Sequence, residues 1–175
     1  NRRIGKIARH SNGLLSRFQP RLVSEHVLPG FIPGRGAMVA YFGSGDAELM
    51  VVNLHLAIGR VARLRQLSYL AELVQAQIQT RGHAVVMGDF NLHSRNQDLR
   101  RFVRATGLSS PDAALSTFPS WRPSRNLDHI LISPALRAEA VQVVDFPLSD
   151  HLPISLDLIL PFQLEGTGTS EHAID

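Results

Sequence analysis

The sequence predicts an α+β layered sandwich folded as a single domain, and three observations carry that prediction. Short β-branched apolar runs recur along the chain. In two places the apolar spacing changes to steps of three and four, which marks helices lying on a sheet. No internal repeat or linker divides the 175 residues, a length sufficient for one domain with a real core.

Composition narrows the class. Apolar residues make up 44% and charged residues 19%, which excludes a disordered chain. The absence of cysteine excludes disulfides, thiolate zinc sites and thiol nucleophiles. No apolar run approaches the ~20 residues that span a bilayer, and no leader-like segment opens the chain, so no stable membrane insertion is expected and a cytoplasmic location is the reading. The formal net charge of +3 is too small to argue for tight nucleic-acid binding. Lys6 is the single lysine. Arginine's planar fork suits a phosphorylated substrate, although a coding bias toward arginine explains the same composition.

In chain order, Ser11–Arg17 reads as a strand entered through a turn, and Arg21–Leu28 as a second. Pro29–Gly34 is a breaker-rich loop. Ala37–Phe42 and Leu49–Leu56 are strands joined through Gly43-Ser44-Gly45-Asp46. From about Gly59 to Arg81, Leu64, Leu67, Ala71, Val74 and Ile78 form an amphipathic helical stripe. Ala84–Met87 is a buried strand, followed by a helix starting near Ser94, with Ser94 and Gln97 as a capping box and Gly107 as its stop. Leu108–Arg125 is a long loop, which in a compact domain is a functional signal. Leu127–Ser133, Val141–Phe146 and Ile154–Leu160 are strands. The domain is placed at residues 1–162 and a frayed tail at 163–175.

Four polar clusters break these apolar runs at their ends: Asn53-Leu54-His55, Gly88-Asp89-Phe90-Asn91, Leu127-Asp128-His129 and Ser149-Asp150-His151. One such break is ordinary turn chemistry or a satisfied core histidine. Four, each carrying Asp, Asn or His, point to one pocket where strand ends meet. If the extended geometry continues past Gly88, Asp89 and Asn91 point the same way. Arg60, Arg63 and Arg65 crowd the start of the long helix, where backbone N–H groups favour anions and cations oppose the macrodipole. Arg60, nearest the His55 strand end, is therefore a candidate phosphate contact, with a plain solvated face as the alternative.

In this order, Asn53-x-His55-Leu56, Gly88-Asp89-Phe90-Asn91, Leu127-Asp128-His129-Ile130-Leu131 and Ser149-Asp150-His151-Leu152-Pro153 resemble the endonuclease/exonuclease/phosphatase superfamily. Asn12-Gly13-Leu14-Leu15-Ser16-Arg17 resembles an earlier family strand, and Thr117-Phe118-Pro119-Ser120-Trp121 a loop of its bacterial members. The resemblance implies a four-layer α/β/β/α sandwich of the deoxyribonuclease-like type, here N-terminally incomplete. It also implies Mg²⁺-dependent hydrolysis of a phosphoester, most readily a phosphodiester, with Mn²⁺ as a substitute ion. By motif, His55, Asp89, Asn91, Asp128 and His151 are the catalytic candidates. Asp128 would orient His151, Asp89 would position or activate water, and Asn91 and His55 would hold phosphate oxygens. Either Asp89 or His151 could be the general base. Asn12 and Trp121 join Arg60 as substrate or phosphate contacts, and Asp150 with Asp89 would lie in the metal shell.

One departure matters. Family members carry a strand ending in Gln-Glu whose Glu binds Mg²⁺, and none of Glu25, Glu48, Glu72, Glu139, Glu165 and Glu171 has that context. The chain is thus expected to be the C-terminal part of a family member, with weakened metal binding. A non-catalytic phosphate- or partner-binding module is the alternative. Nucleic acid, phospholipid and small phosphodiesters all remain open as substrates. Asn126-Leu127-Asp128-His129 stands where inositol phosphatases carry Trp-Cys-Asp-Arg, which lowers that option.

Overall fold

The structure, a computed structural model, describes residues 12–30, 36–80, 82–111 and 115–164. Five strands form one sheet in the spatial order β1 (Leu22–Val27), β2 (Gly36–Phe42), β3 (Leu49–His55), β4 (His83–Asp89) and β5 (Asp128–Ile132). Two more, β6 (Arg137–Val143) and β7 (Ile154–Ile159), pair antiparallel as a separate small sheet. Within the larger sheet only β3 and β4 run parallel. Parallel neighbours need a crossover, and helix α1 (Arg60–Gln79) supplies it.

Alternation along the strands sorts side chains onto two faces. On one, Val39, Met50, Val52, Leu54, Val86 and Leu131 meet α1 and helix α2 (Gln97–Thr106) through Leu67, Leu70, Val74, Leu99 and Phe102. On the other, Ala40, Leu49, Val85, Ile130 and Ile132 meet Ala138, Ile154, Leu156 and Leu158 of the small sheet. The α+β sandwich is therefore present as three layers: helices, large sheet, small sheet. A second helical layer, the fourth of those expected, is not among the described residues.

The long helix has the expected length, but its buried stripe is more polar than its apolar spacing suggests. Arg63, Gln66 and Gln77 are buried beside Leu67, Leu70 and Val74, whereas Leu64, Ala71 and Ile78 are only half-buried. The polar members are buried because they tie loops to the sheet. Gln66 accepts from the Ala57 N–H (2.8 Å) and donates to the Pro29 carbonyl (3.0 Å). Gln77 donates to Glu48 at 3.1 Å.

Other boundaries differ from expectation for local reasons. From Asn12 onward the segment read as a first strand has no strand partner, and Leu15 is fully exposed. Helix α2 starts at Gln97, because Asn96 rather than Ser94 caps it by accepting from the Asp98 N–H at 2.8 Å. The Ser94 N–H instead donates to Asn126 Oδ1 at 2.8 Å. Gly107 stops α2 as expected, in the left-handed region at φ 68. The strand expected to reach Phe146 ends at Val143, since successive tight turns follow: Phe146 N–H to Val144 O and Leu148 N–H to Phe146 O. Residues 1–11 and 165–175, which include most of the expected tail, lie outside the described residues. No described helix is long and apolar enough to cross a membrane.

Candidate active site

Register places three polar residues side by side. On neighbouring strands His55 stands opposite Asp89, and Asp89 stands opposite Asp128. Cross-strand neighbours have Cβ atoms about 4.5–5.5 Å apart, so these form a continuous polar row. The row shares a strand face with Val85 and Ile130, which face the small sheet. It also closes the carboxyl ends of the parallel pair β3 and β4, where sites of open sheets gather.

Gly88 makes the approach to this row feasible. It has φ 132, and a Cβ there would sit 2.0 Å from the Leu54 carbonyl oxygen. Any other residue would push β3 away from β4. Beyond Asp89 the chain turns instead of staying extended: Asp89 Oδ1 accepts from the Asn91 N–H (2.8 Å), and Asn91 adopts φ 51. This is an Asx-type turn, for which an Asp followed two residues later by a left-handed Asn is well suited. Asn91 still returns toward Asp89, but through the turn and not through strand alternation. Its Nδ2 donates to Asp89 Oδ2 (3.3 Å) and to the Leu56 carbonyl (2.9 Å). Asn91 thus holds the carboxylate in place, whereas the resemblance put it on phosphate. His55 Nε2 lies 3.2 Å from Asp89 Oδ2.

Asp128 organises the other half. Its Oδ2 accepts from the Thr117 hydroxyl and meets His151 Nδ1 at 2.7 Å. A carboxylate only accepts, so His151 carries its proton on Nδ1 and directs Nε2 away from the pair. Phe118 packs against the His151 ring with centroids 4.8 Å apart, and the Leu152 N–H donates to the Thr117 carbonyl at 2.9 Å. Burial alone would lower the His151 pKa. The hydrogen bond to Asp128, followed by the charges of Asp128, Asp89 and Asp150, outweighs burial and holds it above the ordinary 6.5.

His55, Asp89, Asn91, Asp128 and His151 are accordingly brought together, and the remaining candidates stand elsewhere in the network. Asn12 is a clip: its Nδ2 donates to the carbonyls of Gly36 (2.8 Å) and Asn53 (3.2 Å), while Asn53 Nδ2 donates to the Gly13 carbonyl. The phosphate contact expected of Asn12 is replaced by backbone anchoring. Arg60 is likewise committed, its guanidinium reaching Asp98 of α2 through Nε (3.1 Å) and Nη2 (3.3 Å). It is a helix-to-helix tie, because the buried Asp98 needs a counter-charge more than an exposed helix end does. His129 is a satisfied core histidine, with Nε2 at 2.7 Å from the Leu92 carbonyl and its ring edge-on to Phe90. Trp121 is 77% exposed on the turn closed by Arg122 N–H to Pro119 O. That turn is fastened to the strand-end loop by Ser120, which donates to the carbonyls of Ser149 and Asp150. Sequence reasoning assigned no role to Thr117 or Phe118. Their signals were the length of the loop that carries them and the resemblance of Thr117-Phe118-Pro119-Ser120-Trp121 to a loop of bacterial family members.

Mg²⁺ demands several hard oxygen ligands. Both Asp89 oxygens already accept from neighbours, Asp150 is exposed, and no three His, Asp or Glu residues among those described are grouped to hold one ion. The described donor set does not by itself fit the ion.

A family model described as the Endonuclease/Exonuclease/phosphatase family matches residues 4–151. Among solved structures, the chain is similar to a mannosyl-6-phosphatase of Bacteroides thetaiotaomicron VPI-5482, with TM-score 0.71 and 21% identity over 82% of this chain and 68% of that one. It is also similar to the human Nocturnin catalytic domain with bound sulfate, with TM-score 0.66 and 21% identity over 82% and 60% of the two chains. A third is the 3′ phosphatase NExo of Neisseria bound to a product DNA hairpin, with TM-score 0.63 and 21% identity over 83% and 73%. The chain therefore spans about two thirds of the length of such structures. At these identities the likeness speaks to the fold. No curated protein matches the chain.

Proposed function

The chain belongs to the endonuclease/exonuclease/phosphatase family, and from that premise we propose that it acts as a phosphoester hydrolase, most readily on a phosphodiester. The observation that carries this reading is the in-register row His55, Asp89 and Asp128, continued by the 2.7 Å bond from Asp128 to His151. A phosphoester resists anionic attack, so a hydrolase must activate water and stabilise charge on the phosphoryl oxygens. His151, with Nδ1–H held by Asp128, has Nε2 disposed to exchange a proton with water or the leaving oxygen. Asp128 fixes the tautomer and stabilises the imidazolium once it forms. His55, held against Asp89 through Nε2, donates to a phosphoryl oxygen through Nδ1 when both ring nitrogens are protonated, and Asn91 keeps Asp89 in position. Asp89 is the second candidate to orient the water. Asp89 and Asp150 are what the described chain could offer Mg²⁺ or Mn²⁺, and the steps above rely on neither ion.

The test is an activity screen over phosphodiesters and phosphomonoesters, run with Mg²⁺, with Mn²⁺ and with chelator. Nucleic acid, phospholipid headgroups and small phosphodiesters are the substrates to compare. Turnover of at least one ester that disappears in His151→Ala supports the reading. Saturable phosphate binding with no turnover under any condition would leave a non-catalytic phosphate-binding module in its place.

A further inference from the structure

Helix α2 runs beside the edge strand β5, and the two enclose a cleft of about 550 Å³. This size is within the range of small-molecule sites. Leu99, Val103 and Leu131 form its apolar floor, and Arg100, Arg101 and Arg104 stand along its rim. His129 and Leu131 of β5 face this cleft, whereas Asp128 is on the opposite strand face with Ile130 and Ile132. The cleft therefore lies across the large sheet from the polar row and is not part of it.

The charge along α2 is one-sided. Asp98 is the helix's single acidic residue. It is buried, taken by Arg60, and 3.8 Å from Arg101. Arg100 and Arg104 form no ion pair among the described residues. They stand one turn apart, where like charges cost a few tenths of a kcal/mol. Arg104 recovers some of this by complementing the helix C-terminus, but Arg100 in mid-helix does not. Two exposed guanidiniums above an apolar floor are suited to a ligand with an anionic head and an apolar body.

We propose that the α2–β5 cleft binds an amphipathic organic anion, its apolar body on Leu99, Val103 and Leu131 and its carboxylate or phosphate head between Arg100 and Arg104. Decanoate is a suitable probe, with acetate as the same head lacking a body. Calorimetry on the 175-residue chain should show one-to-one saturable binding of decanoate and none of acetate. In wild-type protein, amide shift changes should map to α2 and β5. Arg100→Gln with Arg104→Gln should weaken decanoate by about tenfold or more, at the ~1.4 kcal/mol that corresponds to each decade. Both side chains are exposed, so the helical circular dichroism of the double variant should be unchanged. Equal affinity in the double variant, shifts confined to the Asp128 and His151 region, or no saturable binding would each overturn the proposal. So would sedimentation with phosphatidylglycerol vesicles in the absence of decanoate binding, which would make the arginines a membrane-docking face.

Discussion

Two hydrogen-bond chains, each containing a histidine, lie on opposite faces of the large sheet. On the face toward the small sheet, Thr117, Asp128 and His151 are linked through the Asp128 carboxylate. On the helix face, Ser24 Oγ meets His26 Nε2 at 2.8 Å, and His26 Nδ1 meets the Tyr69 hydroxyl at 2.6 Å. By geometry alone the helix-face chain is no less suited to catalysis, since it sets a hydroxyl, a ring and an orienting group in sequence. What separates the two is charge. Asp128 stabilises the protonated ring and dictates which nitrogen carries the proton, and Asp89 stands directly beside it on the next strand. Two hydroxyls bring no charge to the ring, and the Tyr69 hydroxyl fastens edge strand β1 to α1. Short contacts identify a network, and a charged partner that changes the ring's proton affinity is what suits it to catalysis.

Breaking each chain should separate these roles. Asp128→Asn or His151→Ala should lower turnover of a responsive ester by on the order of 10²-fold or more. His26→Ala should leave turnover within about twofold and shift thermal stability instead. Near-wild-type rates in both site variants would remove the distinction. The same contrast is visible without substrate. In NMR titration of metal-free protein, His151 should titrate above 6.5, and Asp128→Asn should bring it down. The sign for stability follows from linkage. A raised folded-state pKa contributes stability in full below the ring's ordinary 6.5, and that contribution is lost as pH rises through the higher folded value.

A third polar contact sharpens the comparison because it has charge and no catalytic setting. Arg60→Ala leaves Asp98, only 5% exposed, without its main partner. The expected cost is about 1–2 kcal/mol in chemical denaturation, moderated because the Arg60 side is solvent-exposed. KM for an anionic ester should not change. A tenfold rise in KM with unaltered stability would restore Arg60 to the phosphate contacts. Smallest of all, Tyr69→Phe removes one hydrogen bond from the His26 clasp and should cost about 1 kcal/mol, with no effect on rate. A rate loss in Tyr69→Phe would mean that the helix-face chain takes part in function.

The sequence by itself determined which residue types interrupt the apolar runs and that the interruptions fall at strand ends, because strand periodicity is a local property. His55, Asp89, Asn91, Asp128 and His151 were legible for that reason. So were both helices and β2 through β5 in outline. Local pattern could not say who answers whom. Asn12 is bound to a carbonyl 41 residues away and Arg60 to a carboxylate 38 residues away. Thr117 reaches Asp128 from a loop with no period to read. Nor could it show that Asn91 turns back onto Asp89, since strand alternation and an Asx turn give the same four-letter motif. A polar side chain at a strand end has several ways to be satisfied. Only the tertiary structure decides between them, because a buried donor or acceptor takes whichever partner the packed layers bring within reach.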